Sequence, residues 1–334
     1  FDERYVPAYY EDTDLAFRVR ERGLKVFVQP RATIIHFEGV SSGTDLSSGT
    51  KRYQAINRKK FLERWKGELD RQPAPIEDPN DIAAVRRARD HRLIGRVLVV
   101  DAYTPEPDQD SGSVRLVNFM RCLRRLGYGV SFFADNRAWN GSYTEALQDQ
   151  GVEAWYDPWL ASREAFLAAH GGDFSHVMVS RHYVACHYLA PVRKHAPRAR
   201  FLFDTVDLHF LREERLAELE NSNTLRQVAK QTRRSECSVI RAADATLVVS
   251  PVEQALLAEM EPEARVFILS NIHDVTEASR TFDDRKDLYF VGGYQHPPNI
   301  DAACWFVESI WPRIRERLPG VTFHLVGSKA TAEV

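Results

Sequence analysis

The run RVLVVDAYTP at residues 96–105 constrains the fold more than any other stretch of this chain. A strand that is apolar at successive positions hides both of its faces, and sheets covered on both faces are parallel. Parallel neighbours need a crossover, usually a helix. The chain supplies one at once: Leu116, Phe119, Met120 and Leu123 recur at helical spacing, Gly127 stands where that helix would close, and VSFFAD begins the next strand. HVMVSR (176–181), ARFLFDTVD (199–207), ATLVVS (245–250) and RVFILSN (265–271) read as further strands, with helical stretches between them, including 211–243. The alternation predicts an α/β fold with an open parallel sheet. The pattern then restarts. DLYFVGGYQHPPN (287–299) reads as a new first strand and loop, IDAACWFVESIWPRIRERL as its helix, and VTFHLVGS as a following strand, so a second domain of the same type opens near residue 285.

The segment before residue 96 is organised differently. EDTDLAFRVRERG has Leu15 and Val19 at helical spacing, with Gly23 at the closing position; KVFVQP and RATIIHFEG read as two short strands, the first stopped by Pro30, the second ending near His36. Residues 51–69 read as a helix with Tyr53, Ile56, Phe61 and Trp65 roughly on one face. The proline- and acid-rich DRQPAPIEDPND (70–81) is the best linker, followed by a basic helical lead-in, AAVRRARDHR. The predicted organisation is therefore 1–69, a linker over 70–94, a sheet domain over 95–284, and the start of another over 285–334. The chain opens on Phe1 and ends in a strand and loop, and both ends read as cut from a longer protein.

Composition removes some function classes. The formal net charge is −2, so no global basic field points to nucleic acid. The four cysteines are far apart, with no CxxC pair, which argues against a structural zinc site and suits a reducing compartment. No apolar run is long enough to span a membrane.

Four clusters could carry chemistry. In YYEDTDLAFRVRERG (9–23), Glu11, Asp12 and Asp14 crowd a helix start beside Tyr9 and Tyr10. The bland reading is capping by charges that the helix dipole favours; the sharper one makes a carboxylate a general base, with His36 as a ligand for a divalent cation. In DSGSVRLVNF, Ser111, Gly112 and Ser113 could offer backbone amides to phosphate or sugar, or form a plain strand–helix turn. In FDTVDLHFLREER (203–215), Asp204, Asp207, His209 and Arg212 follow a buried strand and so emerge where open sheets bind ligands, as do Arg181 and His182 after the preceding strand. Gly292 and Gly293 allow a close backbone approach before a helix start flanked by His296, Asn299 and Asp301.

Residues 1 to about 69, on the ED pair, the following DL and Arg, the Gly turn, and His36 with its Gly/Ser loop, resemble the C-terminal part of a family-2 glycosyltransferase of the GT-A fold. That resemblance implies that Asp12 deprotonates an acceptor hydroxyl with Glu11 beside it, that Tyr10 and Arg18 contact substrate, and that His36 lies near Mg or Mn and the donor diphosphate. The DxD motif of that family is absent. Residues 96–334 resemble a family-4 glycosyltransferase of the GT-B fold, with a Rossmann-like acceptor domain and the truncated start of a donor domain. This implies acceptor and catalytic roles near Asp207, His209, Arg181 and His182, substrate contacts at Ser111 and Gly112, and a donor diphosphate on Gly292, Gly293, His296 and Asn299, with no cofactor in this half. The lysine that many members place after the glycines is missing, as is the E-x7-E pair. The partners implied are a nucleotide-sugar donor and a glycan or lipid-linked acceptor, in the cytoplasm at the inner face of a membrane, with basic stretches 51–66 or 85–92 available for peripheral contact. Two other readings stay open: a decayed sugar- or nucleotide-binding scaffold, and a dinucleotide-dependent oxidoreductase, which the absence of GxGxxG disfavours.

Overall fold

The computed structural model describes residues 1–27, 32–35, 47–78, 80–275, 277, 280–294, 296–327 and 330–334. The chain divides into two compact units, Phe1–His91 and Arg92–Val334.

The first unit is helical among its described residues. Helix α1 (Glu11–Glu21) is closed by Gly23, whose φ of 74° lets its amide reach the Arg20 carbonyl and the Leu24 amide reach that of Val19. Helices α2 (Arg52–Arg64) and α3 (Lys66–Leu69) fill the predicted 51–69 helix, broken at Trp65. The buried face of α2 differs from the expected one. Phe61 and Trp65 are inside, but Ile56 is exposed and Asn57 takes the interior position. The small core is aromatic: Tyr5, Phe61 and Trp65, with Tyr10, Phe17 and Leu69 packed against them. Helix α4 (Ile82–Arg89) confirms the helical lead-in, with Asp81 accepting a hydrogen bond from the Ala84 amide as its cap.

Both strands expected after α1 fall partly outside the described residues; the described residues 24–27 and 32–35 belong to no helix or strand, with Phe27, Ile34 and Ile35 largely exposed. Extended backbone becomes a strand only where a neighbour takes its N–H and C=O groups, and among the described residues of this unit none does. Pro30 and His36 lie outside the described residues.

The second unit holds the predicted α/β architecture. In chain order it contains β1 (Arg96–Asp101), α5 (Ser111–Arg125), β2 (Gly129–Ala134), α6 (Gly141–Asp149), β3 (Glu153–Trp155), α7 (Arg163–His170), β4 (His176–Ser180), α8 (His182–His195), β5 (Arg200–Asp204), α9 (His209–Leu219), α10 (Asn223–Ala242), β6 (Ala245–Val248), α11 (Pro251–Met260) and β7 (Val266–Ile268). All seven strands are parallel, in the order β3-β2-β1-β4-β5-β6-β7. This is a Rossmann-like sheet, and the strand order reverses between β1 and β4.

Alternation along each strand divides the core between the two faces. Val97, Val99, Val130, Phe132 and Met178 pack with Leu116, Met120 and Leu147 of α5 and α6. Leu98, Val100, Phe133, Val177, Val179, Phe201 and Phe203 face the other way, against side chains of α7, α8, α9, α10 and α11. Helix coverage of both faces explains why β1 is apolar without interruption. Gly127, at φ 94°, closes α5 as its position predicts.

Two details depart from expectation. The helix expected over 211–243 is two helices, because Asn221 takes a left-handed φ of 46° and Ser222 caps α10 by accepting from the Leu225 amide. Strand β3 is an edge strand of three residues, too short to stand out in the sequence.

Beyond residue 285 the expected strand–helix–strand order is present, as a two-stranded sheet within the second unit. Strands β8 (Leu288–Val291) and β9 (Phe323–Val326) pair in parallel and are connected through α12 (Pro297–Trp305), one π turn at Phe306–Ile310, and α13 (Trp311–Arg317).

Candidate functional site

In the first unit, the three acidic residues of α1 separate into different environments. Asp14 is fully buried. Its carboxylate accepts from the Tyr5 hydroxyl (3.1 Å) and Trp65 Nε1 (2.8 Å), and pairs with Arg64 Nη1 at 3.0 Å. Asp14 is thus the polar centre of the aromatic core. Asp12 is exposed and accepts from its neighbour's amide, Thr13 N, at 2.6 Å. Glu11 is half-buried, and its Oε2 is shielded without a hydrogen-bond partner. Of the three acids, Asp14 is structural, Glu11 has one shielded oxygen, and Asp12 is exposed at the helix start.

The loop before α1 is held in a strained form. Tyr9 and Tyr10 both have φ of 75°, a region that non-glycine residues rarely enter. Asn57 Nδ2 donates to the carbonyls of Tyr5 (2.7 Å) and Ala8 (2.8 Å), fixing the loop from α2. Tyr10 packs on Phe61 with ring centroids 5.3 Å apart, so its ring belongs to the core. Arg18 is half-buried on α1. Among the described residues, this unit brings no three His, Cys, Asp or Glu side chains together as cation ligands. His36, the ligand expected from the sequence, lies outside the described residues.

In the second unit, polar groups gather at the carboxyl ends of β1, β4 and β5, beside the reversal of strand order. Arg181 follows β4 with φ 66°, and Val206 follows β5 with φ 65°. A β-branched residue there is an outlier, and such strain persists only where surrounding contacts impose it. The Arg181 amide donates to the Asp204 carbonyl at 2.9 Å, and its Nε donates to Asp101 Oδ1 at 2.7 Å. Burial pushes the Asp101 carboxyl above its ordinary range, and the adjacent Arg181 opposes that shift. Asp204, also buried, accepts from Arg115 Nη1 and Nη2, both at 2.8 Å, and from Ser180 Oγ at 3.1 Å. Arg115 reaches on to the Leu269 carbonyl through Nε at 3.0 Å.

His182 and His209 stand side by side, ring centroids 5.0 Å apart, with Tyr183 edge-on to both. Burial lowers the His182 pKa. His209 is nearly sealed, its Nδ1 lying 3.1 Å from the Asp207 carbonyl. Asp207 is half-exposed and binds Arg212 Nη1. Beneath them is Glu236, fully buried, whose two oxygens accept from the His209 (3.4 Å) and Phe210 (3.1 Å) amides and so cap α9. The fold thus brings together Arg181, His182, Asp207, His209 and Arg212, the residues that sequence placed at these two strand ends.

It adds Asp101, Arg115 and Glu236, which sequence reasoning missed. A signal was present for two of them. Glu236 falls within the apolar stripe of Ala229, Cys237 and Ile240, and Arg115 sits beside Leu116 on the inner side of α5. A charge in such a stripe has a buried partner.

The Ser111–Ser113 turn starts α5, where the Asp110 carboxylate accepts from the Ser113 amide (2.8 Å) and from Ser113 Oγ (2.7 Å). Of the three amides expected to meet phosphate or sugar, Ser113's is taken, and a negative charge stands beside those of Ser111 and Gly112.

At the glycine pair, a Cβ on Gly292 would lie 2.9 Å from Asn299 Nδ2, which donates to the Gly293 carbonyl at 3.0 Å. Asn299 therefore organises the turn, and a side chain at Gly292 would have to displace it. His296 precedes α12 without capping it, and Pro297 and Pro298 open the helix with no N–H to donate. The expected anion-binding helix end thus lacks its first two amides. Compared with known proteins, the chain matches no family model and no curated protein.

Proposed function

We propose that the chain is part of a tandem glycosyltransferase, a GT-A-type segment followed by a GT-B-type module, that transfers sugars from nucleotide-sugar donors to a glycan or lipid-linked acceptor. The observation that carries this reading is the set Asp101, Arg181, His182, Asp207 and His209 at the carboxyl edge of a seven-stranded parallel sheet. Ligands of open α/β sheets bind at that edge, where the strand order reverses. A sheet edge carrying imidazoles, carboxylates and a guanidinium suits hydroxyl-rich acceptors, which need many directed hydrogen bonds. In the first unit, Asp12 is exposed at a helix start and would take a proton from an acceptor hydroxyl. Tethering two such sites would raise the local concentration of the intermediate at the second. Among the described residues no helix is long and apolar enough to cross a membrane. Contact with a lipid-linked acceptor at the inner membrane face would then use basic surface such as α2 and α4.

Two observations weaken the expected donor-phosphate contacts and leave a sugar-binding scaffold without turnover as the second reading. Asp110 occupies the start of α5, and the two prolines blunt the start of α12. The Asp110 carboxylate weighs further against a dinucleotide enzyme, whose pyrophosphate would need that same helix start.

Incubating the full chain with labelled nucleotide sugars and a lipid-linked or oligosaccharide acceptor distinguishes these readings. Transfer that His209→Ala abolishes supports the enzyme. Saturable nucleotide-sugar binding without product supports the scaffold, and neither binding nor transfer overturns both.

A further inference from the structure

We propose that His182, His209 and Glu236 bind one divalent cation of the zinc class. The inference needs no donor or acceptor to be tested, although it uses two of the imidazoles that the proposed transferase places at its acceptor edge. The three side chains come from three elements, at the starts of α8 and α9 and from within α10, yet each places a ligand atom within 4.8 Å of the other two. Tetrahedral zinc with bonds of about 2.0–2.1 Å holds its ligand atoms about 3.3 Å apart. Small side-chain rotations would close the difference.

Three features of the cluster favour an ion over a plain polar core. First, Glu236 is a fully buried carboxylate whose hydrogen-bond donors are two backbone amides. Those amides fix its orientation and leave lone pairs unused. Secondly, His182 Nδ1 is sealed from solvent with no hydrogen-bond partner. A buried polar atom left this way costs about 1–3 kcal/mol, and native structures rarely leave one without a reason. Thirdly, His209 Nδ1 faces Glu236 Oε1 at 3.7 Å, beyond hydrogen-bond reach and near the spacing that two ligands of one ion keep.

The nearby cations are engaged elsewhere, Arg212 with Asp207 and Arg181 with Asp101, so neither is committed to Glu236. Two imidazoles and one carboxylate are a donor set for zinc-like ions, whereas Mg and Ca take oxygen ligands. Three protein ligands also leave one coordination position open, on the side where His182 is only half-buried.

The test is a Co(II) titration of the metal-free full chain, followed by visible absorption, with Zn(II) as competitor. The expected result is one Co(II) per chain, displaced by stoichiometric Zn(II) and not by excess Mg(II). His182→Ala should weaken binding by more than about 100-fold, beyond the usual effect of losing an outer-sphere partner, while the metal-free circular dichroism and melting temperature stay near wild type. Glu236→Gln is the second variant; because Glu236 also caps α9, it is judged only against its own metal-free melting temperature, which Zn(II) should no longer raise. The proposal is overturned if Co(II) does not saturate, if Mg(II) displaces it, or if His182→Ala binds as wild type does.

Discussion

Arg115 and Asp204 form a two-point ion pair, with both nitrogen–oxygen distances 2.8 Å and both side chains almost sealed from solvent. The same guanidinium reaches the Leu269 carbonyl, so one side chain from α5 joins the carboxyl end of β5 to the segment after β7. Removing one member leaves the other charged and buried. Asp204→Ala should therefore destabilise the second unit by about 3–5 kcal/mol, and pairing it with Arg115→Met should recover much of that loss. Denaturant unfolding of the two variants measures both. A double variant no better than the single one would mean that Asp204 acts through Ser180 and not through Arg115.

The acids of α1 predict a contrast between neighbours. Asp14→Ala strips acceptors from Tyr5, Arg64 and Trp65 and should cost about 3–5 kcal/mol. Asp12→Asn changes an exposed residue and should stay within about 0.5 kcal/mol of wild type. If the first unit is a transferase, Asp12→Asn abolishes one transfer at unchanged stability. Thermal unfolding and product analysis on the same samples separate the two effects.

Acid should loosen the first unit through Asp2. The Arg4 amide, and then the Arg64 side chain, hold its pKa near 2, down from 3.8. A carboxyl group depressed on folding stabilises fully above its unfolded value, and that contribution is lost as pH falls through the folded one. The window is therefore pH 3.8 down to about 2. Wild-type protein should lose stability there by an increment that Asp2→Asn lacks, as acid titrations of both would record.

The alternation of apolar runs and helical stretches made the parallel sheet legible, because strands hidden on both faces admit no polar positions. The helix ends at Gly23 and Gly127 were legible for a similar reason, since a left-handed closing residue restricts the choice of side chain. Local pattern could not reveal pairing. KVFVQP and RATIIHFEG have strand composition, yet their described residues meet no neighbouring strand. The site was half legible. Arg181, His182, Asp207 and His209 follow strands directly, so their place at the sheet edge follows from the strands. Asp101, Arg115 and Glu236 join them only through contacts between distant elements. Asp110 was overlooked because a capping acid and a glycine turn that welcomes phosphate look alike until the amides are assigned.

The reach of Arg115 also bears on how the chain is made. Its partners lie 89 and 154 residues further along the sequence. During synthesis α5 emerges long before either of them, and its guanidinium must stay hydrated until β5, and later Leu269, leave the ribosome. The carboxyl edge that gathers the histidines is therefore among the last parts of the second unit to set. Until then, a nascent chain has a sheet under construction and no finished edge.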